Sequence, residues 1–502
     1  MITPRFTAFA GGALLSSLLV ALAACGGNGT SGSGGTGGST ATGGTGGAPP
    51  PDPYKPAGCQ FEVMPRPEYT DWGIAMTDSA ADPKIVRVRL GLGGNITAGQ
   101  PGYADPSTSI GVAWETEEGT HASQIQWGST PDPASWPKEN AANGATWLTP
   151  PGLVNGTHDT RMHEVYLCGL TPKTTYYYRV GGGPEGAEVW SDVYSFTTTP
   201  APGDGQVTIA VNGDARGQDG GAWRLYQKKV QQKGATLQLF SGDTVLFGQD
   251  QTEWEEWLDL GWKDESGNLL TLGQLLTLNT NGNHDNRATI FFGNLVMPQE
   301  PKKFPVFAEL FYSFDVGPVH VTVVDDSFFV NSTTPDEDIA AVTGWLEADL
   351  GAANANRAKV PWIVTLHHHG PFSSSNHGDD LDVLRGRAYF VPLFDKHHVD
   401  VDLAGHDHNY ERSKPLTGPA ETPTVHDSAK DGTVYLLCAG AGAEAYGSGT
   451  SAFTGVSKSY GDDGGIGAYA FLTADKTELW IESYELRADG TDPQIDSFTI
   501  SK

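Results

Sequence analysis

The chain has 502 residues, 38% hydrophobic and 10% aromatic, which is enough for more than one buried core and excludes a wholly disordered protein. Its 60 Asp and Glu against 31 Lys and Arg leave a formal charge of -29, which excludes a general nucleic-acid backbone binder held by counterion release.

Arg5, the apolar stretch 13–24 and the sequence Leu22-Ala23-Ala24-Cys25 have the layout of an export signal, and they resemble a bacterial lipoprotein signal. The resemblance implies removal of residues 1–24, lipidation of Cys25, and a membrane-anchored protein in the periplasm or at the cell surface. The apolar stretch is too short for a comfortable transmembrane helix. Residues 25–58 carry the lipidated Cys and are then almost entirely Gly, Ser, Thr, Ala and Pro. They predict a flexible tether with a reach of roughly 30 Å. Cys59 and Cys168 bracket one predicted β region and are the expected disulfide, leaving Cys438 as a buried thiol within an apolar run.

Residues 59–200 show short period-two runs between turn residues and no amphipathic helix, which predicts a β-sandwich. The run 110–114, carrying Trp114, reads as a core strand, with 124–127 as its neighbour. The segment Leu170-Thr-Pro172-Lys-Thr174-Thr-Tyr176-Tyr-Tyr178 resembles the tyrosine corner of fibronectin type III modules, with Tyr176 at the corner. Such a module serves either as a binding surface or as a packed spacer.

From 201 to 502 strands alternate with helices. Strand 207–211, helix 222–233 and strand 237–240 form a βαβ unit of the usual size. Segment 275–278, a hairpin of 312–315 with 320–324, helix 336–350, strand 362–366, helix 389–397 and strand 399–403 follow. The segments 434–437, 468–472 and 478–484 add mainly antiparallel strands. The expected fold is therefore multidomain: an all-β sandwich and then a layered α/β domain with two central sheets.

Five polar blocks each follow an apolar run: Asn212-Gly213-Asp214, Ser241-Gly242-Asp243, Asn281-Gly282-Asn283-His284-Asp285, His367-His368-His369-Gly370-Pro371 and Gly405-His406-Asp407-His408. Singly each reads as an ordinary turn or polar surface. In this order, at the carboxyl ends of successive strands, they offer the carboxylate, amide and imidazole donors of a two-metal hydrolytic site.

These blocks, with Tyr410-Glu411-Arg412 and the hairpin Tyr312-Ser-Phe-Asp315-Val-Gly317-Pro-Val-His320, resemble the calcineurin-like metallophosphoesterases, and within them the purple acid phosphatase branch. The resemblance implies two divalent or trivalent ions (Fe, Zn or Mn) and a phosphate ester substrate. Carried over by position, Asp243 bridges the ions, Asp214 and His408 hold the first, and Asn283, His368 and His406 hold the second. Both His406 and His408 reach their ions only if a tight turn follows Gly405. His284 would stabilise the transferring phosphoryl group and protonate the departing alkoxide, with Asp285 orienting its imidazole. The family's substrate histidine nine positions after its ligand falls on His377 when the ligand is His368. His367 and His369 are then expected to bond locally and to face solvent, one each.

Two positions depart from the family. Purple members carry a Tyr three positions after the bridging Asp, where this chain has Leu246, so no phenolate ligand is expected there. Many other relatives place a His two positions after the first Asp, where this chain has Arg216. Arg216 fits either phosphate binding or a structural ion pair. The leading expectation is a metal-dependent phosphomonoesterase. A phosphodiesterase or nucleotidase on the same metals is one alternative, and a surface binding protein with a degenerate metal site is another.

Overall fold

The computed structural model describes residues 52–216, 220–300, 308–330, 333–419, 421–462 and 464–502. The export signal, Cys25 and most of the tether lie outside the described residues.

Among the described residues ten strands precede residue 200: β1 (Thr70–Ile74), β2 (Val86–Gly91), β3 (Ser109–Thr116), β4 (Gln124–Gly128), β5 (Ala141–Asn143), β6 (Ala145–Thr149), β7 (Thr160–Cys168), β8 (Thr175–Gly182), β9 (Val189–Trp190) and β10 (Tyr194–Thr197). They pair as two antiparallel sheets, β1-β6-β7-β3-β2 and β10-β8-β4-β5, with β9 beside β8. The expected sandwich is present, but its pairing differs at one point. Strand β4 is not the neighbour of β3. It pairs with β5 and β8 in the opposite sheet, because the intervening loop crosses the sandwich, fixed by the His121 and Ala122 N–H groups on the Asp78 carbonyl.

Trp114 is fully buried and stacks on His163 at 4.9 Å. The Tyr176 hydroxyl accepts the Thr171 N–H at 3.0 Å, closing the corner that the sequence indicates. Cys59 and Cys168 form a disulfide, and Cys438 is a buried thiol, both as expected.

The second part contains β11 (Val207–Asn212), α1 (Gly220–Lys233), β12 (Leu237–Phe240), α2 (Gln251–Trp262), β13 (Thr277–Asn279), α3 (Thr289–Asn294), β14 (Phe311–Val316) and β15 (Val319–Val324). It continues with α4 (Ser327–Val330), α5 (Asp336–Ala355), β16 (Trp362–His369), α6 (Leu381–His397), β17 (Val401–Gly405) and β18 (Tyr410–Ser413). After the ribbon of β19 (Leu416–Thr417) and β20 (Thr424–Val425) come β21 (Val434–Cys438), β22 (Thr454–Lys458), β23 (Gly465–Ala474), β24 (Glu478–Arg487) and β25 (Gln494–Ser501).

Among the described residues these strands make a six-stranded sheet, β13-β12-β11-β23-β24-β25, and a seven-stranded sheet, β14-β15-β16-β17-β21-β18-β22. Strands β11 to β13 are parallel in one, and β15, β16, β17 and β21 are parallel in the other. Loops leaving the carboxyl ends of these strands therefore gather at one edge, where open α/β sheets place their chemistry. Helix α2 has no counterpart in the sequence reading. Asp250 caps it by accepting the Thr252 and Glu253 N–H groups, and its Trp257 stacks on Trp223 of α1 at 4.8 Å.

The sandwich packs directly on the second part. Leu90 donates its N–H to the Leu272 carbonyl at 2.8 Å, Tyr178 donates its hydroxyl to the Gly273 carbonyl at 2.7 Å, and the buried Arg89 donates to the Asn294 carbonyl.

Candidate metal centre

The site is assembled on tight backbone. Asp214, Asp243 and His406 have φ of 60°, 51° and 71°, a left-handed conformation that costs an L-residue roughly 1–2 kcal/mol. Such strain persists where surrounding contacts over-determine it. Two glycines permit the approach. A Cβ on Gly282 would lie 2.2 Å from Asp243 Oδ1, and one on Gly405 would lie 2.3 Å from Asp214 Oδ2.

One half of the site centres on Asn283. Its Oδ1 lies 2.9 Å from His368 Nε2 and 3.1 Å from His406 Nδ1. His368 donates Nδ1–H to the Ser241 carbonyl at 2.7 Å, which turns Nε2 towards Asp243 Oδ1 at 3.3 Å. Burial opposes charge on His368, but the Asp243 carboxylate outweighs it and holds the imidazole up at about 10. Burial likewise opposes ionisation of Asp243, yet His368 and His284 pull its carboxyl well below the usual range.

The other half holds Asp214, His408 and the far side of Asp243. His408 donates Nδ1–H to the Glu444 carbonyl at 2.8 Å, leaving Nε2 at 3.4 Å from Asp214 Oδ1. The left-handed turn at His406 sends its side chain to Asn283 while its N–H contacts the Asp214 carboxylate, so alternate histidines serve different halves.

The donor chemistry fits metal ions. Asp214, Asp243 and His368 bring ligand atoms within 4.8 Å of one another, as do His368, His369 and His406. The His408 Nε2 atom is buried with no hydrogen-bond partner, an arrangement that proteins rarely leave uncompensated.

Arg216 places Nη2 3.5 Å from Asp243 Oδ2, while its Nε is buried without a partner, so the contact leaves room for either of the two readings. His284 donates its backbone N–H to Asp243 Oδ1 at 2.9 Å, and its Nδ1 lies 2.7 Å from the Leu246 carbonyl. The imidazole is therefore oriented by Leu246 and not by Asp285, which corrects the sequence reading. Asp285 is fully buried and turned away, accepting the Thr244, Val245 and Gly282 N–H groups. Burial, with Asp243 nearby, pushes its carboxyl up to about 8. Its place is to brace two loops.

His377 lies beside the second half, its ring 4.6 Å from that of His406 and its Nδ1 2.8 Å from Asp380 Oδ2. The expectation for the other histidines is corrected, since neither His367 nor His369 faces solvent. Both are buried on the Asp326 carboxylate, and His367 also contacts Asp402, because β16 is covered on both faces.

The sequence reading missed Asp326 and Tyr446. Asp325-Asp326 follows β15 as the recognised blocks follow their strands, a signal that was there to use. Tyr446 stacks on His408 at 4.1 Å and donates its N–H to the His408 carbonyl, from a Gly-rich loop whose pattern carries no such information.

Each of the two parts matches a known protein domain. Residues 101–198 match the purple acid phosphatase N-terminal domain, and residues 207–410 match the calcineurin-like phosphoesterase domain. The chain is 28% identical to purple acid phosphatase 21 of Arabidopsis thaliana over 62% of its length and 65% of that protein's. It is also 28% identical to human acid phosphatase type 7, over 69% of its length and 76% of that protein's. Its fold is similar to that of the purple acid phosphatase PPD1 from yellow lupin seeds, with TM-score 0.63, 19% identity, and 83% and 74% of the two chains covered. Residues 207–410 thus belong to the calcineurin-like phosphoesterase domains, preceded at 101–198 by a purple acid phosphatase N-terminal domain.

Proposed function

We propose that this chain is a metal-dependent phosphomonoesterase whose ligands are Asp214, Asp243, Asn283, His368, His406 and His408. The observation that carries the reading is the convergence of His368 Nε2 and His406 Nδ1 on Asn283 Oδ1, with Asp243 between that group and the Asp214–His408 pair. Two bound ions, Fe, Zn or Mn, would supply an acidified water and neutralise phosphoryl charge.

The chain's own residues then have distinct tasks. His284, fixed through Nδ1 on the Leu246 carbonyl, keeps Nε2 as the atom that hands a proton to the departing alkoxide oxygen. Arg216, with a buried and unpartnered Nε, is suited to a phosphoryl oxygen while its Nη2 stays near Asp243. His377, held by Asp380, lies where it can contact the same phosphoryl group. The test is metal analysis with turnover of p-nitrophenyl phosphate. Two ions per chain with turnover are expected, whereas one or none without turnover would make the chain a binding protein with a degenerate site.

We also propose that the protein is an exported lipoprotein anchored through Cys25. The Cys59–Cys168 disulfide supports passage through an oxidising compartment. Palmitate labelling of the expressed chain is expected to disappear in Cys25→Ser; labelling that persists would sink the anchor.

A further inference from the structure

Isolated exposed leucines are ordinary on protein surfaces, but contiguous apolar exposure marks binding. Among the described residues the large exposed apolar side chains are Ile74, Leu153, Val154, Phe247, Leu381, Leu384 and Val425. Five of these seven lie on three segments, two of them docked together, that flank the candidate site.

The first segment is joined to His284. Phe247, 53% exposed, follows Leu246, whose carbonyl holds the His284 imidazole, and precedes Gly248, whose N–H donates to the His284 carbonyl at 2.8 Å. A loop of the β-sandwich docks on the same stretch. Val154 donates its N–H to the Gln249 carbonyl at 3.1 Å, and Asn155 donates Nδ2–H to Asp250 Oδ2 at 2.6 Å. This brings in Val154 and the 84% exposed Leu153.

The third segment is joined to His377. Asp380, which holds the His377 imidazole, is followed by Leu381, 86% exposed at the start of α6, and Leu384 lies one turn on. Asn283 and His406, in contact at 3.1 Å, connect the first and third segments: Asn283 is the residue before His284, and the His406 ring lies 4.6 Å from His377. The leaving-group proton donor and the substrate histidine thus each carry an apolar shoulder.

We propose that the site takes phosphate monoesters with a large apolar leaving group, whose body rests against Phe247 and Leu153 or against Leu381 and Leu384. This rests on the phosphomonoesterase reading above. The chain's charge of -29 disfavours polyanionic leaving groups such as nucleotides, while an uncharged alkyl or aryl body meets no such repulsion.

The test is a series of ethyl, hexyl and decyl phosphate, kept below micelle formation and assayed by phosphate release with the metal-loaded full chain. The alkoxide leaving groups have similar intrinsic reactivity, so kcat/KM reports apolar contact. A rise of about tenfold from ethyl to decyl is expected, falling below about threefold in Phe247→Ser/Leu381→Ser. Each ratio is internal to one preparation, so a reduced folded fraction cancels. A flat series in the active wild-type protein overturns this inference and leaves the phosphomonoesterase reading standing, and so does a rise that persists in the double variant. Failure to hydrolyse any member overturns both.

Discussion

Asp243→Asn lowers phosphate-ester turnover by about 1000-fold or more and reduces bound metal, while circular dichroism of the folded chain is unchanged. The expectation follows from the position of the carboxylate. Its Oδ1 faces His368 and accepts the His284 N–H, and its Oδ2 faces Arg216, so one group serves both halves of the site. An amide of the same shape keeps the contact with the His284 N–H and preserves the turn. It lacks the charge that would offset the repulsion between two bound cations. Turnover within about tenfold of the unmodified protein, measured with metal content in the same sample, would remove Asp243 from the centre of the mechanism.

Asp349→Ala is expected to cost about 3–5 kcal/mol of stability without touching the metal ligands. Asp349 Oδ2 lies 3.1 Å from His320 Nε2 and accepts the Thr322 hydroxyl at 2.8 Å, while Oδ1 accepts the Ser313 hydroxyl at 2.6 Å. Removing it strands His320 Nε2 and the Thr322 hydroxyl and leaves Ser313 only the Tyr103 hydroxyl. Burial opposes charge on His320, but Asp349 and Asp315 outweigh it and hold the imidazole up at about 10, against 6.5 for an unperturbed histidine. A raised folded value means the native state binds the extra proton. The ion pair's contribution is therefore complete below about pH 6.5 and is lost as pH rises through about 10. Denaturant unfolding at pH 7 and pH 10 should show this alkaline loss in the parent chain and little of it in Asp349→Ala. A variant less than about 1 kcal/mol weaker at pH 7 would contradict the buried-pair account.

The alternation of apolar runs with polar blocks made most of the catalytic architecture legible, because a parallel strand ending in Gly-Asp or Gly-Asn leaves few places for its loop to go. The family spacing to His377 singled out His368, and its Nε2 lies 2.9 Å from Asn283 Oδ1. What pattern could not give was the side-chain partner. Leu246 supplies a carbonyl to His284, and Asp285 turns to backbone amides, and neither choice is encoded in residue type. The fate of His367 and His369 depended on β16 being sandwiched between layers, a tertiary fact that three adjacent histidines cannot announce. Strand β4 was assigned to the wrong sheet for a similar reason, since a crossing loop and a hairpin loop of similar length have similar composition.

Sequence composition changes character near residue 200, yet the forces do not divide there. The N–H of Leu90, the hydroxyl of Tyr178 and the guanidinium of Arg89 all spend their hydrogen bonds on carbonyls beyond that point. Separating the two parts would exchange those bonds for bonds to water, at a net loss of about 0.5–1.5 kcal/mol each. The boundary is one of architecture, and the β-sandwich and the phosphoesterase sheets lie within one compact body.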